Sequence, residues 1–344
     1  MERAATAPID AETKALSRAV SGGYPLRETY AALDLGTNNC RLLVARRAGR
    51  GFRVIDAFSR IVRLGEGIGQ SGRLSQAAMD RTLAALAVCA DKMARRNVTQ
   101  SRAVATEACR RAENCEEFLE RVRVETGIPI ETIASNEEAR LVVVGCEPLL
   151  DRGTPFAVVL DIGGGSTELV WLSVPRDPQQ APQVLDFVSL PYGVVTLSDG
   201  YDGRAVTEQI YGTMVADVRS ALAPFEQAHA IARRIEAGEV QMLGSSGTVT
   251  TLAAIHLELP RYNRVAVDGS SLSFAEVEAV SRGLLAMGYA ARVAHPCIGA
   301  ERADLVLAGC AILEAICTLW PVGRVRVADR GLREGILQGL LAGS

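Results

Sequence analysis

Two glycine-rich turns, DLGTNN at residues 34–39 and DIGGGST at residues 161–167, follow one plan: an apolar strand, an aspartate, the turn, and a second apolar strand. That repetition constrains the fold more than any other feature of the chain. Residues 30–33 lead into Asp34 and 40–44 lead out; residues 156–160 lead into Asp161 and 169–172 lead out. Each turn therefore sits in a β-hairpin. In mononucleotide and dinucleotide loops the glycines lead instead into a helix, whose N-terminus receives the phosphate. In a tight hairpin, successive backbone N–H groups form the anion nest, with glycine permitting positive φ and close approach. Two such hairpins facing each other across a cleft would hold a phosphate from both sides.

Length and composition admit these hairpins in two α/β domains. A chain of 344 residues with 48% hydrophobic side chains can give each domain a full core. A net charge of −3 argues against a dedicated nucleic-acid binder, although all 37 basic residues except Lys14 and Lys92 are arginine. No apolar stretch of the sequence is long enough to span a membrane. Residues 1–26 carry Glu2, Asp10 and Glu12 without an apolar run, which reads as a flexible arm and not a signal peptide. The eight cysteines form no CxxC pair and lie mostly in apolar segments, as buried thiols of a reducing cytoplasm do. A cytoplasmic enzyme is expected, with a homodimer left open.

Periodicity fills in the rest. Residues 75–96 read as a long amphipathic helix with Leu83, Leu86, Ala87 and Ala90 on one face, followed by a strand at 102–106. Asn114 with Glu117 reads as a capping box opening a helix that stops at Gly127. A strand near 130–133 and a helix over 136–149 complete a first domain, 27–150. The segment DRGTP near Asp151 opens a second, 151–330, while the last helix returns to the first domain over 331–344. The second domain continues with a strand at 184–190, a helix over 204–222, a strand at 241–243, the small-residue turn GSSG and a helix over 248–258. A capping box at Ser273 and Glu276, a long apolar helix over 301–319, a strand at 325–327 and a helix over 332–341 follow.

An aspartate–glycine hairpin repeated in each half resembles the actin-like, ribonuclease H-like phosphotransferase fold: two α/β domains with mixed sheets flanked by helices and a cleft between them. The wording is narrower still. DLGTNNCRLLV, VRLGEGI, ATEACRRAENCEEF, ASNEEARL, DIGGGSTELV, GSSGTVTTL, ERADLVLAGCAIL and VADRGLREGIL occur in this order. Together they are similar to the exopolyphosphatase and guanosine pentaphosphate phosphohydrolase family, over nearly the whole chain after residue 27. The first loop departs from the family's usual DIGSNS, with a hydroxyl kept at Thr37 and an amide at Asn39. The chain also ends after GLREGIL, without the C-terminal helical domains of long family members, so distributive cleavage and strong salt dependence are expected.

Each candidate residue carries a functional and a plain structural reading. Gly36, Thr37, Asn38, Gly163, Gly164, Gly165, Ser166 and Thr167 are the phosphate contacts of the paired turns, or parts of ordinary tight turns. Asp34 and Asp161, at strand ends, either hold Mg²⁺ or another divalent cation, or cap their turns by accepting backbone N–H bonds. Glu168 is a third metal carboxylate or a strand-edge surface acid. Arg41 and Arg110 are phosphate clamps or solvated surface arginines. Gly247 and Thr248 open a helix that offers a third anion site, or simply a capped start. Glu138 lies three residues after Ser135 and so reads locally as a capping box. The resemblance implies otherwise, because the second glutamate of NEEAR is the family's catalytic base and falls on Glu138, not Glu137.

The resemblance implies a phosphohydrolase that removes the terminal phosphate of inorganic polyphosphate and converts guanosine pentaphosphate to tetraphosphate. Mg²⁺ would assist an in-line attack by water. A sugar or acid kinase of the same superfamily, and a non-catalytic polyphosphate or alarmone sensor, are the alternatives.

Overall fold

The computed structural model describes residues 28–49 and 51–343, so the arm expected over 1–26 lies outside the described residues. The first sheet contains β1 (Thr29–Leu35), β2 (Asn39–Ala48), β3 (Gly51–Ile61), β4 (Gln100–Ala105) and β5 (Ile130–Thr132), in the order β3-β2-β1-β4-β5. The second contains β6 (Phe156–Ile162), β7 (Thr167–Ser173), β8 (Gln183–Leu190), β9 (Val240–Ser245), β10 (Ser271–Ser273) and β11 (Arg324–Ala328). Its order, β10-β11-β9-β6-β7-β8, repeats the first sheet as β8-β7-β6-β9-β11 with β10 added at one edge. In both halves three antiparallel strands continue into parallel ones. This is the actin-like arrangement, and the repeat seen in the turns extends to whole sheets.

Strand alternation divides the interior into three layers of core. Ala31, Leu33 and Leu35 of β1, with Leu42 and Val44 of β2, face the helices Gln76–Arg95 and Cys115–Thr126. Val158, Leu160 and Ile162 of β6 face the helices Glu208–His229 and Val306–Leu319 on the far side of the second sheet. The intervening residues, Tyr30 and Ala32, Leu43 and Ala45, Ala157 and Val159, point inward from both sheets onto one shared layer. That layer consists of the helices Ser135–Cys146 and Leu332–Ala342. The two halves therefore do not have wholly separate cores.

The two central helices cross at glycines. A Cβ on Gly145 would lie 2.0 Å from the Gly331 carbonyl oxygen, and one on Gly335 would lie 2.0 Å from that of Leu141. Backbone occupies the space on both sides, so neither methyl can be absorbed by a side-chain rotation. Gly335→Ala is expected to cost about 1–3 kcal/mol or more, the usual penalty of overpacking. A urea midpoint lowered at unchanged slope would be the signature; an unchanged midpoint would mean the helices can separate freely.

Several local expectations need correction. Asn114 does not cap the helix Cys115–Thr126; its side chain instead pairs with both the N–H (2.8 Å) and the C=O (3.0 Å) of Leu74. The helix Glu208–His229 runs through Pro224, where a stop at Leu222 was expected, because buried Leu222 and Phe225 anchor both sides of the proline. The long apolar helix begins at Val306, since residues 301–305 form turns. The capping box of Ser273 and Glu276 is present. All eight cysteines are buried and free, and among the described residues no helix is long and apolar enough to cross a membrane.

Candidate active site

Both glycine turns end strands that start a parallel pair, β1 beside β4 and β6 beside β9, and both close in the same way. Gly36 N–H donates to Asn39 C=O at 2.9 Å, and Gly163 N–H donates to Ser166 C=O at 2.9 Å. The N–H groups of Thr37, Asn38, Gly164, Gly165 and Ser166 donate to no acceptor among the described residues. Such runs of free N–H groups are what an anion nest offers. The glycines are needed for proximity, not for positive φ, which none of Gly36, Gly163, Gly164 and Gly165 adopts. A Cβ on Gly164 would lie 3.0 Å from Asn38 N, and one on Gly165 2.6 Å from Thr37 Oγ1, so the turns meet directly. Gly36 has no close neighbour of this kind.

The alternation that builds the central layer also aims the charges. Asp34 follows Ala32 on the inward face of β1, opposite Arg41 on β2; Asp161 follows Val159 on β6, opposite Glu168 on β7. Asp34 and Asp161 accept no hydrogen bond among the described residues, which removes the turn-capping reading. Burial raises the pKa of Asp34, with Arg41 opposing. Burial and then the charge of Glu168 push Asp161 up to about 8, again with Arg41 opposing. Glu168 is not a surface acid: it is 3% exposed and accepts from Ser166 Oγ (2.7 Å) and Ser189 Oγ (2.9 Å). Burial raises its pKa, while those two hydroxyls lower it.

Glu138 lines a cavity together with Asp34 and Asp161, from the first turn of the helix Ser135–Cys146. The capping box is absent: the helix is opened by Ala134, and no side chain caps it. The Glu138 carboxylate is instead held by Arg110, whose Nη1 donates to Oε2 at 2.7 Å. Burial drives its pKa well above the ordinary carboxylate range, the charge of Glu168 adds to this, and Arg110 opposes both. Arg110 also places Nε on Glu107 (3.0 Å) and Nη1 on Ile133 C=O (3.0 Å), with Glu168 at 4.0 Å, while its buried Nη2 has no hydrogen-bond partner among the described residues. Thr167 is misplaced as a phosphate contact. It is fully buried on the other face of β7, where its hydroxyl donates to Tyr192 C=O at 2.6 Å.

The remaining candidates converge. Thr37, Asn38, Arg41, Gly163 and Ser166 line a cavity of about 120 Å³ together with Asp34, Asp161, Glu138, Gly247 and Thr248. Ser246 caps the helix Gly247–His256 by accepting from Val249 N–H, leaving the N–H groups of Gly247 and Thr248 open toward the cavity. A second cavity of about 430 Å³ continues past Asp34, Asp161 and Arg41 to Arg333, with Arg302 lining both. Arg41, Arg302 and Arg333 make no side-chain hydrogen bond or ion pair among the described residues. Burial lowers the pKa of Arg302 and of Arg333. Sequence reasoning missed both of these arginines, although they stand in ERADLVLAGCAIL and GLREGIL.

Whether this site suits a divalent cation is a matter of donor chemistry. Among the described residues no three His, Cys, Asp or Glu side chains are grouped to cage a metal. Mg²⁺ seldom needs a cage, because one or two carboxylates plus substrate phosphates and water satisfy it. Asp34 and Asp161, unpaired and facing the phosphate nest, fit that requirement. Thr37 Oγ1, Asn38 Oδ1 and Asn39 Oδ1 are also buried without a partner, so the first turn carries unused oxygen ligands.

Between pH 3.8 and about 8, folded Asp161 holds a proton that the unfolded chain has released. Its contribution to stability is therefore full below pH ~4 and lost as pH rises through about 8. Metal-free protein is expected to melt at progressively lower temperature over this range. Mg²⁺ held at Asp161 would need its deprotonated form, so added Mg²⁺ should raise the melting temperature more at pH 8 than at pH 6. Equal stabilisation at both pH values would detach Asp161 from the cation.

Residues 43–343 match the model of the Ppx/GppA phosphatase family. The chain belongs to that family. A solved Ppx/GppA family member from Aquifex aeolicus is 27% identical, with a TM-score of 0.75 over 92% of this chain and 98% of its own. An exopolyphosphatase-like protein is 29% identical, with a TM-score of 0.82 over 91% and 97%. An exopolyphosphatase from Cytophaga hutchinsonii shares the fold at 24% identity and a TM-score of 0.82, over 92% and 98%. Membership in the Ppx/GppA family makes the chain a phosphatase-type enzyme.

Proposed function

We propose that the enzyme releases the terminal phosphate of inorganic polyphosphate and the 5′ γ-phosphate of guanosine pentaphosphate by in-line attack of water. The observation that carries this reading is that two nests of free N–H groups and the Glu138 carboxylate face one cavity. The N–H groups of Thr37, Asn38, Gly164, Gly165 and Ser166 would bind the oxygens of the transferring group and stabilise charge spreading onto them. Glu138 would hold the water and take its proton at a carboxylate oxygen. A base with a raised pKa suits that task near neutrality, and Arg110 keeps it in one orientation.

Electrostatics favour a metal-bound polyanion. The site holds carboxylates whose charge burial disfavours, beside unpaired guanidiniums whose charge burial also disfavours. Mg²⁺ at Asp34 and Asp161, with Glu168 behind, would supply charge neutralisation to the phosphoanhydride. Phosphate units beyond the scissile bond would meet Arg41, Arg302 and Arg333 in the second cavity. The relative described as exopolyphosphatase-like points to the same substrate class. Free phosphate should appear from polyphosphate and from guanosine pentaphosphate, with Mg²⁺ and without any acceptor alcohol. Phosphate transfer from ATP only when a sugar or acid acceptor is present would make the chain a kinase.

A further inference from the structure

One ion pair bridges the cavity's two walls, at a point the proposed chemistry does not touch. Arg63, just past the end of β3, forms a two-pronged pair with Asp304: Nη1 donates to Oδ2 and Nη2 to Oδ1, each at 2.9 Å. Nη2 also reaches Glu301 C=O at 3.1 Å. Both carboxylate oxygens are engaged, the geometry only a guanidinium provides. The partners stand 241 positions apart and belong to the two different halves.

Each end of the pair is tied to the site. On the first half, Val62 and Arg63 N–H groups both donate to Asn38 C=O (2.8 and 3.0 Å), and Gly65 N–H donates to Thr37 C=O (2.9 Å). The segment that carries Arg63 is therefore the backing of the first phosphate turn. On the second half, Asp304 lies between Arg302 and Leu305, which both line the cavity, and Ser198 Oγ fixes its carbonyl at 2.7 Å. Arg63 also has φ 47°, a left-handed backbone that a non-glycine residue adopts only at a cost. A partly exposed ion pair of ordinary surface worth gives little reason to keep such a residue.

We propose that Arg63 is a positioning residue: by clamping Asp304 it sets the gap between the first phosphate turn and the wall bearing Arg302. The inference rests on the phosphohydrolase reading for its kinetic effect, but not for its effect on shape.

Two measurements test it. In steady-state hydrolysis of polyphosphate, Arg63→Ala and Asp304→Ala are each expected to raise KM about tenfold while kcat changes less than about threefold, since bound substrate draws the walls together. The double variant should be no worse than either single one, and Arg63→Lys should recover only part of the loss. An unchanged KM with a lowered melting temperature, or additive single effects, would overturn the proposal and leave a merely structural pair. The second measurement needs no activity. Spin labels at Val124→Cys and Glu236→Cys, both exposed and in different halves, report the separation of the halves, the eight native cysteines being buried. Arg63→Ala should add a longer, broader distance population in the substrate-free protein, and an identical distribution would overturn the clamp. Should wild-type protein release no phosphate, the function reading fails while the distance measurement still decides the role of Arg63.

Discussion

Glu138→Gln is expected to lower turnover on polyphosphate by ~10²–10⁴, the usual worth of a positioned base, with little change in substrate binding. The amide keeps the shape of the carboxylate and can still face Arg110, so the central helix should stay in place. Wild-type activity should fall off on the acid side with an apparent pKa above the ordinary carboxylate range, since burial and Glu168 disfavour the ionised base. That limb belongs to Glu138 and Glu168 jointly, because the two carboxylates share Arg110. Loss of binding together with turnover would show that Glu138 serves the fold. Turnover like that of wild type would remove it from the mechanism.

Asp161→Asn is the second large effect. It should raise the Mg²⁺ concentration needed for half-maximal activity at least about tenfold, the scale on which even outer partners of metals act. The same substitution should hold or raise the melting temperature of metal-free protein at pH 8, because it removes a charge that burial and Glu168 penalise. Opposite signs in the two measurements distinguish a metal carboxylate from a structural one. Activity that survives complete chelation in the wild type would contradict the assignment.

How far these residues could be read in advance follows from the range of the forces that place them. The hairpin turns were legible because strand, aspartate and glycines are adjacent in sequence, and their repetition extends to matching sheets. The resemblance, and not the local sequence, pointed to Glu138 as a residue of the cavity. Its local sequence spells a capping box, and the partner that overrides it, Arg110, lies 28 positions away. Thr167 could have been placed by alternation, since it pairs with Ile162 on the face opposite Asp161 and Glu168. β3 escaped notice because its mostly exposed, charge-bearing sequence lacks the alternation of a half-buried strand. Arg302 and Arg333 reach the site from a turn and from the last helix, and only tertiary folding brings them beside Arg41.

The most direct test of the central claim is hydrolysis of polyphosphate in ¹⁸O-enriched water with Mg²⁺, followed by mass analysis of the products at low conversion. Water attack on the terminal phosphorus puts one solvent oxygen into each released orthophosphate and none into the shortened chain, and Glu138→Gln slows the appearance of label and phosphate alike. Label in the remaining chain, or transfer of the phosphoryl group to an acceptor alcohol in place of labelled orthophosphate, would contradict the account.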